Sequence, residues 1–200
     1  PAAQEKGYRI IGIWENGFRH ITNNVRPINK PDDLKGVKLR TPKGEWRVKM
    51  FQLYGANPSP MAFSEVFTAL QTGVMDGQEN PYTQIWSAKF QEVQKYLSIT
   101  GHVYTPAYAL VSDKHYSALP DDVRSVLDRC GKETQAFVHE TAANMETDLL
   151  TKLKDGGIQV NEADKDAFIS ASQPVYKEFA TSVDGGQELI DTLLKLGEGV

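Results

Sequence analysis

VKLRTPKGEWRVKMFQLYGANPSPMAFSEVFTALQTGVMDGQENP, residues 37–81, sets the fold class. Its β-branched opening, Val37 to Thr41, predicts a strand that stops at Pro42. A helix is predicted from about Gly44 to Tyr54, ending at Gly55, a natural left-handed terminator. Ser64 reads as the N-cap of a second helix, FTALQT, which Gly73 closes. Val74 to Glu79 then reads as a short strand. Asn80 and Pro81 read as N-cap and first residue of a helix reaching about Lys95. Strands alternating with helices predict an α/β class with parallel strands.

The pattern extends in both directions. Gly7 to Trp14 and Gly17 to Thr22 read as two strands around a Glu15-Asn16-Gly17 turn, and Arg26 to Gly36 as a proline-marked loop with a helical turn capped by Asp32. Leu97 to Asp113 is strand-like with turns. From Pro120 to Asp155 apolar residues recur with a helical period, without a phase break at Gly131. That predicts one helix about 50 Å long at 1.5 Å per residue, long enough to brace two lobes. Gly156-Gly157 ends it, and a strand near Ile158 to Val160 plus helices over about 162–182 and 186–196 complete the chain.

Composition excludes several function classes. The 200 residues carry 22 Lys and Arg against 26 Asp and Glu, a net charge of −4, with no basic stripe for nucleic acid. No apolar run approaches the roughly 18 residues of a membrane span, and no charged and apolar leader pattern follows Pro1. Hydrolytic chemistry lacks its signature, since the four histidines (His20, His102, His115, His139) accompany no G-x-S-x-G elbow. His139-Glu140 is half of a zinc motif whose second ligand is replaced by Ala143. Cys130, the single cysteine, falls among apolar helix positions and is expected to be an inert core thiol. Neither catalytic residue, cofactor nor metal is expected.

Three strand-to-helix junctions concentrate the remaining chemistry: Arg40-Thr41-Pro42, Phe63-Ser64 and Glu79-Asn80-Pro81. Ligands of open α/β sheets sit beyond the carboxyl ends of the strands, where helix N-termini favour anions. Arg40 offers a planar fork for a carboxylate, Asn80 a side-chain amide and Phe63 an aromatic face. Each also has an ordinary reading, as a strand-end surface arginine, a helix cap and a core aromatic.

The stretches ENGFRHITNNVRPINKPDDLKGVKLRTPKG and YGANPSPMAFSEVFTALQTGVMDGQENP closely resemble the substrate-binding proteins of tripartite ATP-independent periplasmic (TRAP) transporters, the DctP-like family. The resemblance runs from about Gly7 to near residue 190. It implies a periplasmic, two-lobed flytrap that captures a small organic acid for the membrane subunits of a TRAP transporter. The alternative it leaves is a sensor domain of the same fold that presents a bound carboxylate to a receptor. By the resemblance Arg40 pairs with the ligand carboxylate, Asn80 bonds the same group, Phe63 packs on the ligand body, and Arg19 adds a second polar contact. Trp46 is not general in that family, and both a core role and a pocket role remain open for it. Residues 18–105 and 146–200 are expected to form the second lobe, with 1–17 and 106–145 the remainder of an incomplete first lobe, hinge strands and bridging helix. Family members carry a substantial further stretch before the equivalent of Pro1. Its absence predicts that the helix before Met145 exposes apolar surface or covers it by self-association.

Overall fold

The computed structural model describes residues 2–197. In chain order the elements are helix α1 (Ala2–Glu5), strand β1 (Tyr8–Asn23), a 3-10 turn (Pro31–Leu34), β2 (Lys38–Thr41), α2 (Glu45–Leu53), β3 (Asn57–Pro60), α3 (Phe63–Gln71), β4 (Gly77–Asn80) and α4 (Tyr82–Ser87). A second 3-10 turn (Phe90–Glu92), β5 (Tyr96–Ser112), α5 (Asp113–Ser117), α6 (Asp121–Asp155), β6 (Gln159–Glu162), α7 (Lys165–Ser182) and α8 (Gly186–Gly197) follow.

The strands form one sheet in the order β3-β2-β4-β1-β5-β6. The class is α/β as expected, but the sheet is mixed. β2 runs parallel to β3 and β4, and β5 to β6, whereas β1 is antiparallel to both β4 and β5. β3 escapes sequence reading because NPSP carries two prolines, which a sheet tolerates at its edge, where β3 lies.

The expected Glu15-Asn16-Gly17 turn is not a turn. β1 runs through it, and the irregularity is absorbed as register shifts against β5 between Ile10 and Gly12, Glu15 and Gly17, and Arg19 and Ile21. Gly17, at φ 109°, supplies backbone freedom at one of these bulges. β5 is likewise a single strand, so β1 and β5 make a long two-stranded ribbon that extends past the rest of the sheet.

Two cores flank the sheet. On one face Val66, Ala69 and Leu70 of α3 and Tyr82 and Ile85 of α4 pack with Leu149 and Leu153 of α6. On the other, Met50 and Phe51 of α2 and Phe168 and Val175 of α7 cover Ile21 and Leu39. Burying side chains of this size contributes roughly 1.5–3 kcal/mol each.

Helix α6 is continuous, as its unbroken period predicts. Gly131 stays in it for a packing reason. A Cβ there would lie 2.0 Å from the Ile11 carbonyl oxygen, so the helix and β1 touch backbone to backbone at this crossing. Cys130, expected in the core, is instead exposed, because the buried position at the crossing belongs to its neighbour. Before Met145 the helix does show apolar surface: Val123, Val126 and Phe137 are exposed, as are Tyr8, Ile10, Ile13, Tyr108 and Leu110 on the ribbon.

Other corrections are local, and two of them reflect competition for backbone N–H groups. Glu65, rather than Ser64, caps α3, its carboxylate accepting from the Ala62 N–H at 3.1 Å, and the N-cap residue is Ala62. Asp33, rather than Asp32, accepts from the Asn29 and Lys30 N–H groups at 2.8 and 3.0 Å. Asn80 closes β4, and Pro81 takes the N-cap position of α4. That helix stops at Ser87 rather than near Lys95, because Lys89 turns left-handed at φ 57°.

Candidate functional site

β2 and β4 lie side by side and parallel, with Arg40 opposite Gln78, so their carboxyl ends meet at one end of the sheet. The two-residue period puts Arg40, Gln78 and Asn80 on one face and Glu79 on the other. Arg40 is buried, with 3% exposure. Its Nε and Nη2 donate to the Met61 carbonyl at 3.0 and 2.6 Å, which fixes the plane of the guanidinium. The Met61 carbonyl therefore holds one side of the fork, and Nη1 takes no hydrogen bond among the described residues. The Phe63 ring centroid lies 5.9 Å from the guanidinium carbon. Phe63 is half exposed and leans on Phe90 at 5.7 Å. It offers an aromatic face next to an oriented cation.

The other face holds a charged cluster around Glu79, which has no exposure. Arg19 donates from Nε to Glu79 Oε2 at 2.6 Å and from Nη2 to Oε1 at 2.9 Å, to the Glu79 carbonyl at 2.7 Å and to Asn80 Oδ1 at 2.9 Å. Arg47 donates from Nη1 to both Glu79 oxygens at 2.9 Å. His102 Nε2 lies 3.1 Å from Glu79 Oε2, and its Nδ1 lies 2.7 Å from Thr100 Oγ1. Asn80 Nδ2 donates to Gln78 Oε1 at 2.5 Å, so the side chain of Asn80 is held at both ends.

Burial alone would raise the Glu79 carboxyl, but the bonds from His102 and Arg19 prevail and hold it down to about 2. Burial lowers Arg40 and Arg47, with Glu79 opposing. Burial also lowers His102 against the pull of Glu79, and takes His20 down to about 3 with help from His102 and Lys165.

These shifts set an acid limit on stability. A histidine whose folded pKa is lowered contributes stability above its unfolded value of 6.5 and loses it as pH falls through that value. Glu79 adds a second loss below 4.5. His20 alone should cost about 2 kcal/mol by pH 5. Thermal melts should therefore fall between pH 7 and 5, and a flat or rising melting temperature would contradict the burial of both rings.

Of the residues expected at the site, Arg40 and Phe63 are brought together, and Arg19 meets Asn80 across the end of the sheet. Trp46 is not with them. Its half-buried ring packs edge-on against Phe179 at 5.2 Å and under Lys49. Three members of the cluster, Glu79, Arg47 and His102, were not picked out from sequence. Arg47 left a signal: a cation in the first turn of α2 opposes the helix dipole, and such a residue needs a reason to be there. Among the described residues no group of three or more His, Cys, Asp or Glu side chains could hold a metal, and no helix is long and apolar enough to cross a membrane.

The family described as bacterial extracellular solute-binding protein, family 7 (DctP), matches residues 1–182. The sialic acid-binding periplasmic protein of Vibrio cholerae is 37% identical over 190 residues, covering 95% of this chain and 58% of that protein. A TRAP periplasmic solute-binding protein from Bordetella bronchispeptica superposes with a TM-score of 0.90 at 41% identity, over 96% of this chain and 63% of that one. Another, from Polaromonas and bound to D-erythronate, gives 0.90 at 39% identity, over 94% and 62%. The chain thus spans a little over half the length of the curated relatives it matches. With a match over nearly its whole length and a shared fold, this chain belongs to the DctP family of bacterial extracellular solute-binding proteins.

Proposed function

We propose that this chain forms the carboxylate-capturing part of an extracytoplasmic solute-binding protein that delivers a small organic acid to the membrane subunits of a TRAP-type transporter. The observation that carries this reading is Arg40: a buried guanidinium, oriented by a carbonyl on one side and open on Nη1, beside an aromatic ring at the carboxyl end of a sheet. An anion arriving there meets two N–H donors in one plane, the geometry a carboxylate accepts best. Asn80 and Arg19 would complete the polar end of the ligand site, and Phe63 would cover the ligand's carbon skeleton. Names of relatives support an acid ligand, sialic acid and D-erythronate both being carboxylates. The same relatives support a periplasmic location.

In this reading residues 18–105 and 146–200 form one lobe, while 1–17 and 106–145 belong to a second. The exposed apolar face of the ribbon and of α6 before Met145 would then be covered by further first-lobe residues, or by another copy of the chain where those are lacking.

A screen of carboxylic acids by thermal shift tests the reading, since a ligand at a hundred times its Kd adds about 2.7 kcal/mol. Arg40→Lys should weaken the acid found by about 1.5–3 kcal/mol despite keeping its charge, because the planar fork is lost. Unchanged affinity by calorimetry would refute the clamp.

A further inference from the structure

On the α6 side of the ribbon lies a cavity of about 200 Å³ that none of Arg40, Phe63, Asn80 and Arg19 lines. β1, β5, the first turn of α4 and the middle of α6 enclose it. Successive strand residues point to opposite faces, so Phe18 turns away from its neighbour Arg19 and into this space. Tyr104, its cross-strand partner on β5, joins it with ring centroids 5.2 Å apart. Both rings are about half exposed, and Tyr82, Ala142 and Ala143 extend the apolar wall.

Two carboxylates share this apolar space. Glu15 and Glu146 both line it, and an oxygen of each lies close to where a Gly17 side chain would begin, at 3.9 and 3.6 Å. Gly17, having no side chain, leaves the point between them open. Glu15 Oε2 accepts from the Tyr104 hydroxyl at 2.7 Å, but its Oε1 is buried with no donor. Among the described residues neither acid is ion-paired with a lysine or arginine. Neutral His139 adds no donor here. Its Nε2 donates to the Ile13 carbonyl at 3.1 Å, so a bare Nδ1 faces Glu15 Oε2 at 3.6 Å. Burial, then the charge of Glu15, raises the Glu146 carboxyl, so the two acids oppose each other. Like charges held together out of water favour a counter-charge between them, and the cavity has room for one.

The walls decide which cation fits. A metal ion needs a shell of hard ligands, and among the described residues no group of three or more His, Cys, Asp or Glu side chains could hold one. An organic ammonium ion has N–H donors for the carboxylates and a carbon chain for the aromatic walls. We propose that this cavity is a second binding site, separate from the Arg40 site, for a short-chain primary ammonium ion held between Glu15 and Glu146 against Phe18 and Tyr104.

The probe is n-butylammonium chloride, titrated into the protein by calorimetry in amine-free phosphate near neutral pH. It should bind saturably and at least about tenfold more tightly than n-butanol, which has the same carbon chain without the charge. Glu146→Gln, which keeps the side chain's shape, should weaken it about tenfold or more. Ala143→Leu, which keeps both acids but fills the cavity, should abolish binding. Should Ala143→Leu fail to fold, the Glu146→Gln result decides alone. Absence of saturable binding would overturn the proposal. So would equal affinity for n-butanol, an equal response to potassium chloride, or a Glu146→Gln variant that binds as the unaltered protein does.

Discussion

Replacing Glu79 by alanine should destabilise the protein by about 3–5 kcal/mol, a large part of the 5–15 kcal/mol that holds a typical domain together. The carboxylate has no exposure and accepts from Arg19, Arg47 and His102. Without it two guanidinium groups, their side chains only 7% and 16% exposed, stand side by side with no counter-charge. Their repulsion acts in a medium that screens poorly. The substitution should also loosen Asn80, because Arg19 would lose the partner that aims its Nη2 at Asn80 Oδ1. Glu79→Gln keeps the shape and one acceptor, so its loss should be smaller. Urea unfolding measures both, and a loss under about 1 kcal/mol for the alanine variant would show that water or an ion replaces the carboxylate.

Gly131→Ala should also destabilise, by about 1–3 kcal/mol, although alanine is the better helix former by about 1 kcal/mol. The added methyl would sit 2.0 Å from the Ile11 carbonyl oxygen and 2.9 Å from its carbon, and neither is a side chain that can rotate away. Either α6 lifts from β1 or the strand bends. The Ile13 N–H bond to Gln135 Oε1 and the contact of His139 Nε2 with the Ile13 carbonyl should go with it. A helix-stabilising gain in the melting temperature would mean that the two elements are not in contact there.

The contrast between these two residues shows what sequence could reveal. α6 was legible from end to end because its period, its acidic first turn and Gly156-Gly157 all agree. The reason for Gly131 was not, since it lies in the approach of a strand more than a hundred positions earlier. Arg40 and Phe63 were legible because strand-to-helix junctions place side chains at a sheet's end whatever the rest of the fold does. Glu79 sat beside Asn80 in plain view, yet its role depends on Arg19 and Arg47 arriving from two other elements. The direction of β1 was lost for a similar reason. Local pattern shows that a segment is a strand, whereas its partners are set by tertiary contacts.

β1 also constrains the order of events during folding. It lies inside the sheet although it comes near the start of the described chain, and its two ladders are completed by residues 77–80 and 96–112. A nascent chain emerges N-terminus first, at about 5–20 residues per second. For seconds, then, β1 waits for the two strands that flank it in the finished sheet, and neither core can close over it. Contacts so distant in sequence make for slow folding. The interior strand is thus made early and paired late, held open until both of its neighbours have followed it.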